Sequence, residues 1–131
     1  MNPESLQMIA LSLTEERSVE TVLQKIVEGL GSQSGIALAR VWLIEPGDIC
    51  ETCPMKSDCA DRARCLHLVA SHGHPTRPAD NWERLDGAFR RFPIGIRKVG
   101  RVAASGQPIL LKDVSADLHE FARHDWIREE R

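Results

Sequence analysis

The sequence predicts an α+β fold, and three observations carry that reading. Two apolar stripes at helical spacing come first, over residues 6–13 and 19–30. An alternating run over 36–44 follows, and two further β-rich segments, 66–71 and 108–111, are set off by glycine and proline.

Each element has a local cause. Leu6, Ile9, Ala10 and Leu13 share one helical face, and the helix begins near Pro3, where a missing N–H costs nothing. The second helix has Ser18 as N-cap. Its stripe runs through Val19, Val22, Leu23, Ile26, Val27 and Leu30, and Gly31 stands where a left-handed C-terminal cap is expected. In the first strand Ala39, Val41 and Leu43 face one way and Leu38, Arg40, Trp42 and Ile44 the other, ending at the turn signal Pro46-Gly47. Residues 48–65 are polar and irregular, and a second strand over 66–71 stops at Gly73 and Pro75. A polar loop of that length between neighbouring strands is unusual unless it is functional or held by something. Residues 76–86 read as loop or short helix, and Phe92-Pro93-Ile94 as a brief extended piece. A helix over 99–104 ends at Gly106, and Pro108 opens a strand over 108–111, a position strands tolerate. Leu118, Phe121, Ala122, Trp126 and Ile127 fit one more amphipathic helix.

Composition narrows the function classes. At 131 residues the chain suits one hydrophobic core, and 42% hydrophobic with 27% charged residues is far from the composition of disorder. Seventeen Lys and Arg against nineteen Asp and Glu give a net charge of -2 without a basic block, which argues against direct nucleic-acid binding. No apolar run reaches the roughly 18 residues of a membrane span, and the start has neither a basic flank nor a signal-peptide core. The reading is cytoplasmic, with no membrane association.

In a reducing cytosol a tight cysteine cluster is read as a metal or redox site before a disulfide framework. All four cysteines fall within sixteen residues, as Cys50-x2-Cys53-Pro54-x4-Cys59-x5-Cys65. The x2 spacing gives two ligands from one turn, and the longer gaps allow the chain to wrap round a centre. The second pair is not a zinc knuckle, whereas iron–sulfur loops tolerate irregular gaps and often carry Pro after a ligand Cys. An iron–sulfur cluster, 4Fe-4S above others, therefore ranks first, zinc second, and disulfide, thiol redox chemistry or no centre at all third. Lys56, Arg62 and Arg64 could offset thiolate charge but are read as solvated and given no role.

The remaining candidates are read as structural. Strand alternation with Leu66 and Leu68 is expected to turn His67 away from the loop. His72 and His74 flank a turn and are expected in solvent, and His119 and His124 lie five apart, off the same-face spacings of a helix. Trp42 and Trp82 are expected in the core. No Gly-rich phosphate loop or triad arrangement is present, and no catalytic residue is assigned.

The stretch Phe92-Pro93-Ile94-Gly95-Ile96-Arg97-Lys98-Val99-Gly100, continuing through Ser105-Gly106-Gln107-Pro108 to Asp113-Val114, resembles the GAF family. There a glycine-containing turn leads into a short helix, and a Pro-initiated strand closes on Asp-Val. The resemblance implies a GAF-type antiparallel sheet with helices on one face, over residues 15–131, after a linker or dimerisation helix over 1–14. It also implies that the carboxyl-terminal strands of such a domain are missing, leaving an open sheet edge. The Cys-Pro-Met segment and the Cys-Leu-His-Leu run resemble, more loosely, the amino-terminal sensors of bacterial transcription activators and histidine kinases. The signatures of cyclic-nucleotide-binding GAF domains and of bilin attachment are absent.

Function is then expected to be non-enzymatic signal input. The four-Cys loop would bind a redox-sensitive centre, the chain would dimerise through its first helix or sheet edge, and an output domain or partner regulator would read the state. The alternatives are a GAF enzyme reducing free methionine sulfoxide with cysteine chemistry, and a structural dimerisation module.

Overall fold

The computed structural model of the chain describes residues 2–13, 18–59, 62–75 and 81–112. The element order is α1 (Pro3–Leu13), α2 (Val19–Gly31), β1 (Leu38–Pro46), a 3-10 turn (Lys56–Asp58), β2 (Arg64–Gly73), β3 (Arg91–Phe92) and α3 (Arg97–Ser105). The class is α+β, with one antiparallel sheet in the order β1-β2-β3. The chain divides into two compact units, one formed by Met1–Leu43 with Leu68–Asp86 and the other by Ile44–His67 with Gly87–Arg131. No helix among the described residues is long and apolar enough to cross a membrane.

In the first unit α1 packs on α2. Gly29 permits the approach, since a Cβ there would stand 2.5 Å from Ile9 Cγ1. The α2 N-cap is as expected, with Ser18 extended and its Oγ accepting from the Thr21 amide at 3.4 Å. The other end corrects the sequence reading. Gly31 is still helical, Ser32 caps the helix in a right-handed conformation, and the nearest left-handed residue is Gly35 at φ 85°. Gly31 is needed for its size: a Cβ there would lie 2.6 Å from His72 Cδ2.

His72 and His74 are likewise engaged in protein contacts. His74 Nε2 donates to the Gly31 carbonyl at 2.6 Å, satisfying one of the acceptors that a helix end leaves open. His72 Nδ1 lies 2.8 Å from Glu83 Oε1, and the two rings meet edge to face. His74 is nonetheless exposed, as expected beside a turn, whereas His72 is half-buried near the end of a β2 longer than the pattern placed it. Ser71 is fully buried, donates to the Trp82 carbonyl and accepts from Arg40 Nε at 3.1 Å, while its own carbonyl accepts from Gln24 Nε2. Val27, Leu68, Ala70 and Trp82 are the buried apolar residues here, so Trp82 is in the core as expected, whereas Trp42 is half-buried.

In the second unit β2 pairs antiparallel with β3, Leu66 opposite Phe92 and His67 opposite Arg91. β2 is the central strand, which explains why consecutive residues Cys65, Leu66 and His67 are all buried. It begins at Arg64, two residues before the sequence pattern placed it, and β1 likewise runs on to Pro46. Pro lacks only the N–H donor, so it can hold a strand's last position.

The helix expected over 99–104 is α3, which packs on β3. Gly106 ends it at φ 69°, with its N–H bonded to the Val102 carbonyl at 2.9 Å. Gly100 is a close-approach glycine, its absent Cβ only 2.4 Å from the Pro93 carbonyl oxygen. Residues 108–111 form no strand among the described residues, and Leu110 is 82% exposed. β-favouring residues do not make a strand without a neighbour to complete the ladder. The helix expected over 115–131, with His119, His124 and Trp126, lies outside the described residues.

Candidate metal centre

The described parts of the connection from β1 to β2 carry turns of their own and one buried side chain, Met55. Gly47 N–H bonds to the Ala63 carbonyl at 3.1 Å, continuing the strand pairing past the end of β1. Turns follow, with Thr52 N bonded to Ile49 O at 2.9 Å and Lys56 N to Cys53 O at 3.0 Å. The 3-10 turn brings the chain back, and Met55 is 3% exposed, an apolar anchor between Cys53 and Cys59.

All four cysteines are reduced and line one cavity, together with Asp48, Lys56, Arg62 and Arg91. They reach it from different local structures. Cys50 and Cys53 sit on the turns after β1, Cys59 ends the 3-10 turn, and Cys65 is on β2 itself. The sequence reading placed Cys65 in the loop; its burial in a central strand makes it the rigid member of the set. Cys50 donates its S–H to the Arg62 carbonyl at 3.7 Å, tying the two arms of the connection together. Gly47 has no room for a side chain beside that contact: a Cβ would be 2.2 Å from Arg62 O and 2.9 Å from Cys50 Sγ.

Burial pushes the Cys65 thiol up from its ordinary value; Arg91 opposes this, while Asp48, Cys50 and Cys53 add to it. Asp48 is held down to about 2 chiefly by hydrogen bonds from Arg91, which donates Nε to Oδ1 and an Nη to Oδ2, both at 2.9 Å.

His67 is the clearest correction at the site. It shares a strand face with Cys65, two residues earlier, rather than turning away from the connection. Its ring is buried, with Nε2 donating to the Pro46 carbonyl at 2.9 Å, Nδ1 3.3 Å from Glu45 Oε2 and Asp48 Oδ1 3.9 Å away. It is absent from the cavity wall, so its role is to brace β1 and Asp48. Lys56 and Arg62, set aside in the sequence, do line the cavity, whereas Arg64 does not.

Among the described residues no three His, Cys, Asp or Glu side chains stand in the arrangement that holds a metal ion. The four thiols share a cavity without meeting at a point. The donor set fits a thiophilic group: four sulfurs, all reduced, with cations beside them. No protein-family model, curated protein or solved structure matches the chain.

Proposed function

We propose that the chain is a sensory signal-input domain of GAF type whose cysteines, Cys50, Cys53, Cys59 and Cys65, bind one thiolate-ligated centre, an iron–sulfur cluster before zinc. The observation that carries the metal reading is the shared cavity, reached by four reduced cysteines from three kinds of local structure. Four thiolates with irregular spacing suit an iron–sulfur cluster, and such a cluster would supply a potential and an oxidative lability that a signal can use. Cys65, Cys50 and Cys53 would approach the centre from β2 and the first turns, and Cys59 from the end of the 3-10 turn. The sensory reading draws support from the glycine turn into α3 and its Gly106 stop, the features that carry the GAF resemblance. A partner at the first helix, either a second copy or an output domain, is favoured by Leu6, Met8 and Leu11, large apolar side chains left more than half exposed on α1.

The test is a spectrum and metal analysis of protein purified without oxygen. Broad visible absorption with iron and acid-labile sulfide identifies the cluster, and colourless protein with stoichiometric zinc identifies the alternative. Metal-free protein with four titratable thiols after expression in metal-replete cells would overturn the metal reading.

A further inference from the structure

Three cations and one carboxylate accompany the cysteines in the cavity wall: Lys56, Arg62, Arg91 and Asp48. Asp48 is committed to Arg91 by its two hydrogen bonds. Lys56 and Arg62 instead share Glu51, which does not line the cavity and has a side chain 83% exposed. Lys56 Nζ is 3.5 Å from Glu51 Oε2, and an Nη of Arg62 is 3.3 Å from Oε1. One solvated carboxylate thus holds two cavity-lining cations, and pairs this exposed exchange partners readily.

Loading the site changes the charge they face. Four neutral thiols become four thiolates as metal binds and protons leave, and four thiolates around one divalent ion carry a net charge of about -2. Nearby cations favour that charged form, and charged groups next to thiolate ligands tune the centre they hold. We propose that Lys56 and Arg62 are positioning residues that leave Glu51 for the thiolate centre when it forms, so that Glu51 competes with the centre for its counter-ions. The inference rests on the four-thiol reading of the site.

Opposite signs make it testable with Co2+, whose thiolate charge-transfer absorption reports sulfur coordination. Co2+ is titrated under anaerobic conditions into the reduced, metal-stripped full chain and its variants, each first shown by thermal melting to be folded. Lys56→Gln and Arg62→Gln are each expected to weaken Co2+ binding by roughly 10-fold. Glu51→Gln is expected to tighten it. Arg64→Gln removes the same charge two residues from Arg62 but outside the cavity wall, and should leave affinity within about twofold of the parent. Unchanged affinity in Lys56→Gln and Arg62→Gln, weaker binding in Glu51→Gln, or an equal loss in Arg64→Gln would each overturn the exchange of partners while leaving the site intact. A parent that develops no thiolate–cobalt absorption would overturn the four-thiol reading and this inference with it.

Discussion

Asp48 and Arg91, 43 residues apart in sequence, are joined by two parallel hydrogen bonds of 2.9 Å in the wall of the cysteine cavity. Arg91 is also the register partner of His67, so the pair ties the chain leaving β1 to β3. The Asp48 carboxyl is held at about 2, below its ordinary 3.8. Its contribution is therefore complete above about pH 4 and lost as pH falls towards 2. The side chain is 46% exposed and screened by solvent, which limits the pair to about 1 kcal/mol. Urea unfolding of the parent and Asp48→Asn should differ by a constant amount above about pH 4, with the gap closing towards pH 2. Parallel profiles across that window would show that the pair does not stabilise the fold.

The cysteines should separate into two classes. Cys53→Ser and Cys59→Ser are expected to abolish metal retention and leave α2 folded, because both side chains lie outside the buried strand. Cys65→Ser places a hydroxyl at a buried position on β2 and should also lower stability by about 1–3 kcal/mol. Metal content and thermal melts of the three variants decide this. Full metal retention in Cys53→Ser or Cys59→Ser would remove them as ligands.

Two glycines test whether the close approaches matter locally. Gly47→Ala meets Arg62 O at 2.2 Å and Cys50 Sγ at 2.9 Å, so it should destabilise by about 1–3 kcal/mol and weaken metal binding. Gly31→Ala meets His72 instead, and should cost stability while leaving metal affinity unchanged. Measuring both properties in both variants gives four expected results, and loss of metal binding in Gly31→Ala would contradict the local assignment.

Met55, 3% exposed, anchors the connection between β1 and β2. Met55→Ala should cost about 2–4 kcal/mol. Hydrogen exchange at the amides of Lys56, Asp58 and Cys59 should accelerate more in this variant than on stripping metal from the parent. A further change between residues 19 and 30 on stripping is expected if the centre signals through β2, whose Ser71 carbonyl is held by Gln24 of α2. Complete loss of loop protection on stripping alone would restore the metal as the main source of order.

Elements with local chemical signals were legible from the sequence. Ser18 as N-cap and Gly106 as a left-handed stop depend on their immediate neighbours, and both stand where the pattern put them. Gly31 is less legible, because glycine serves either conformation or close packing and only the position of His72 tells which applies. The parity of Cys65 and His67 was visible as a two-residue spacing. Its meaning depends on Cys65 belonging to the strand, and strand starts are poorly marked where both faces are buried. Which of Lys56, Arg62 and Arg64 faces the cysteines depends on the 3-10 turn and the return to β2, neither of which has a periodic signal.

The length of that connection bears on how such a site could arise. Closing a chain segment costs entropy that grows only with the logarithm of its length, about 0.6 kcal/mol for each doubling. Extending a four-residue hairpin loop to sixteen would thus burden the sheet by little more than about 1 kcal/mol. Insertions at this point are therefore nearly neutral for strand pairing, and Met55 and the Gly47–Ala63 hydrogen bond offset part of even that cost. Cys65 belongs to the central strand, so only Cys50, Cys53 and Cys59 depend on the connection whose length is so weakly constrained.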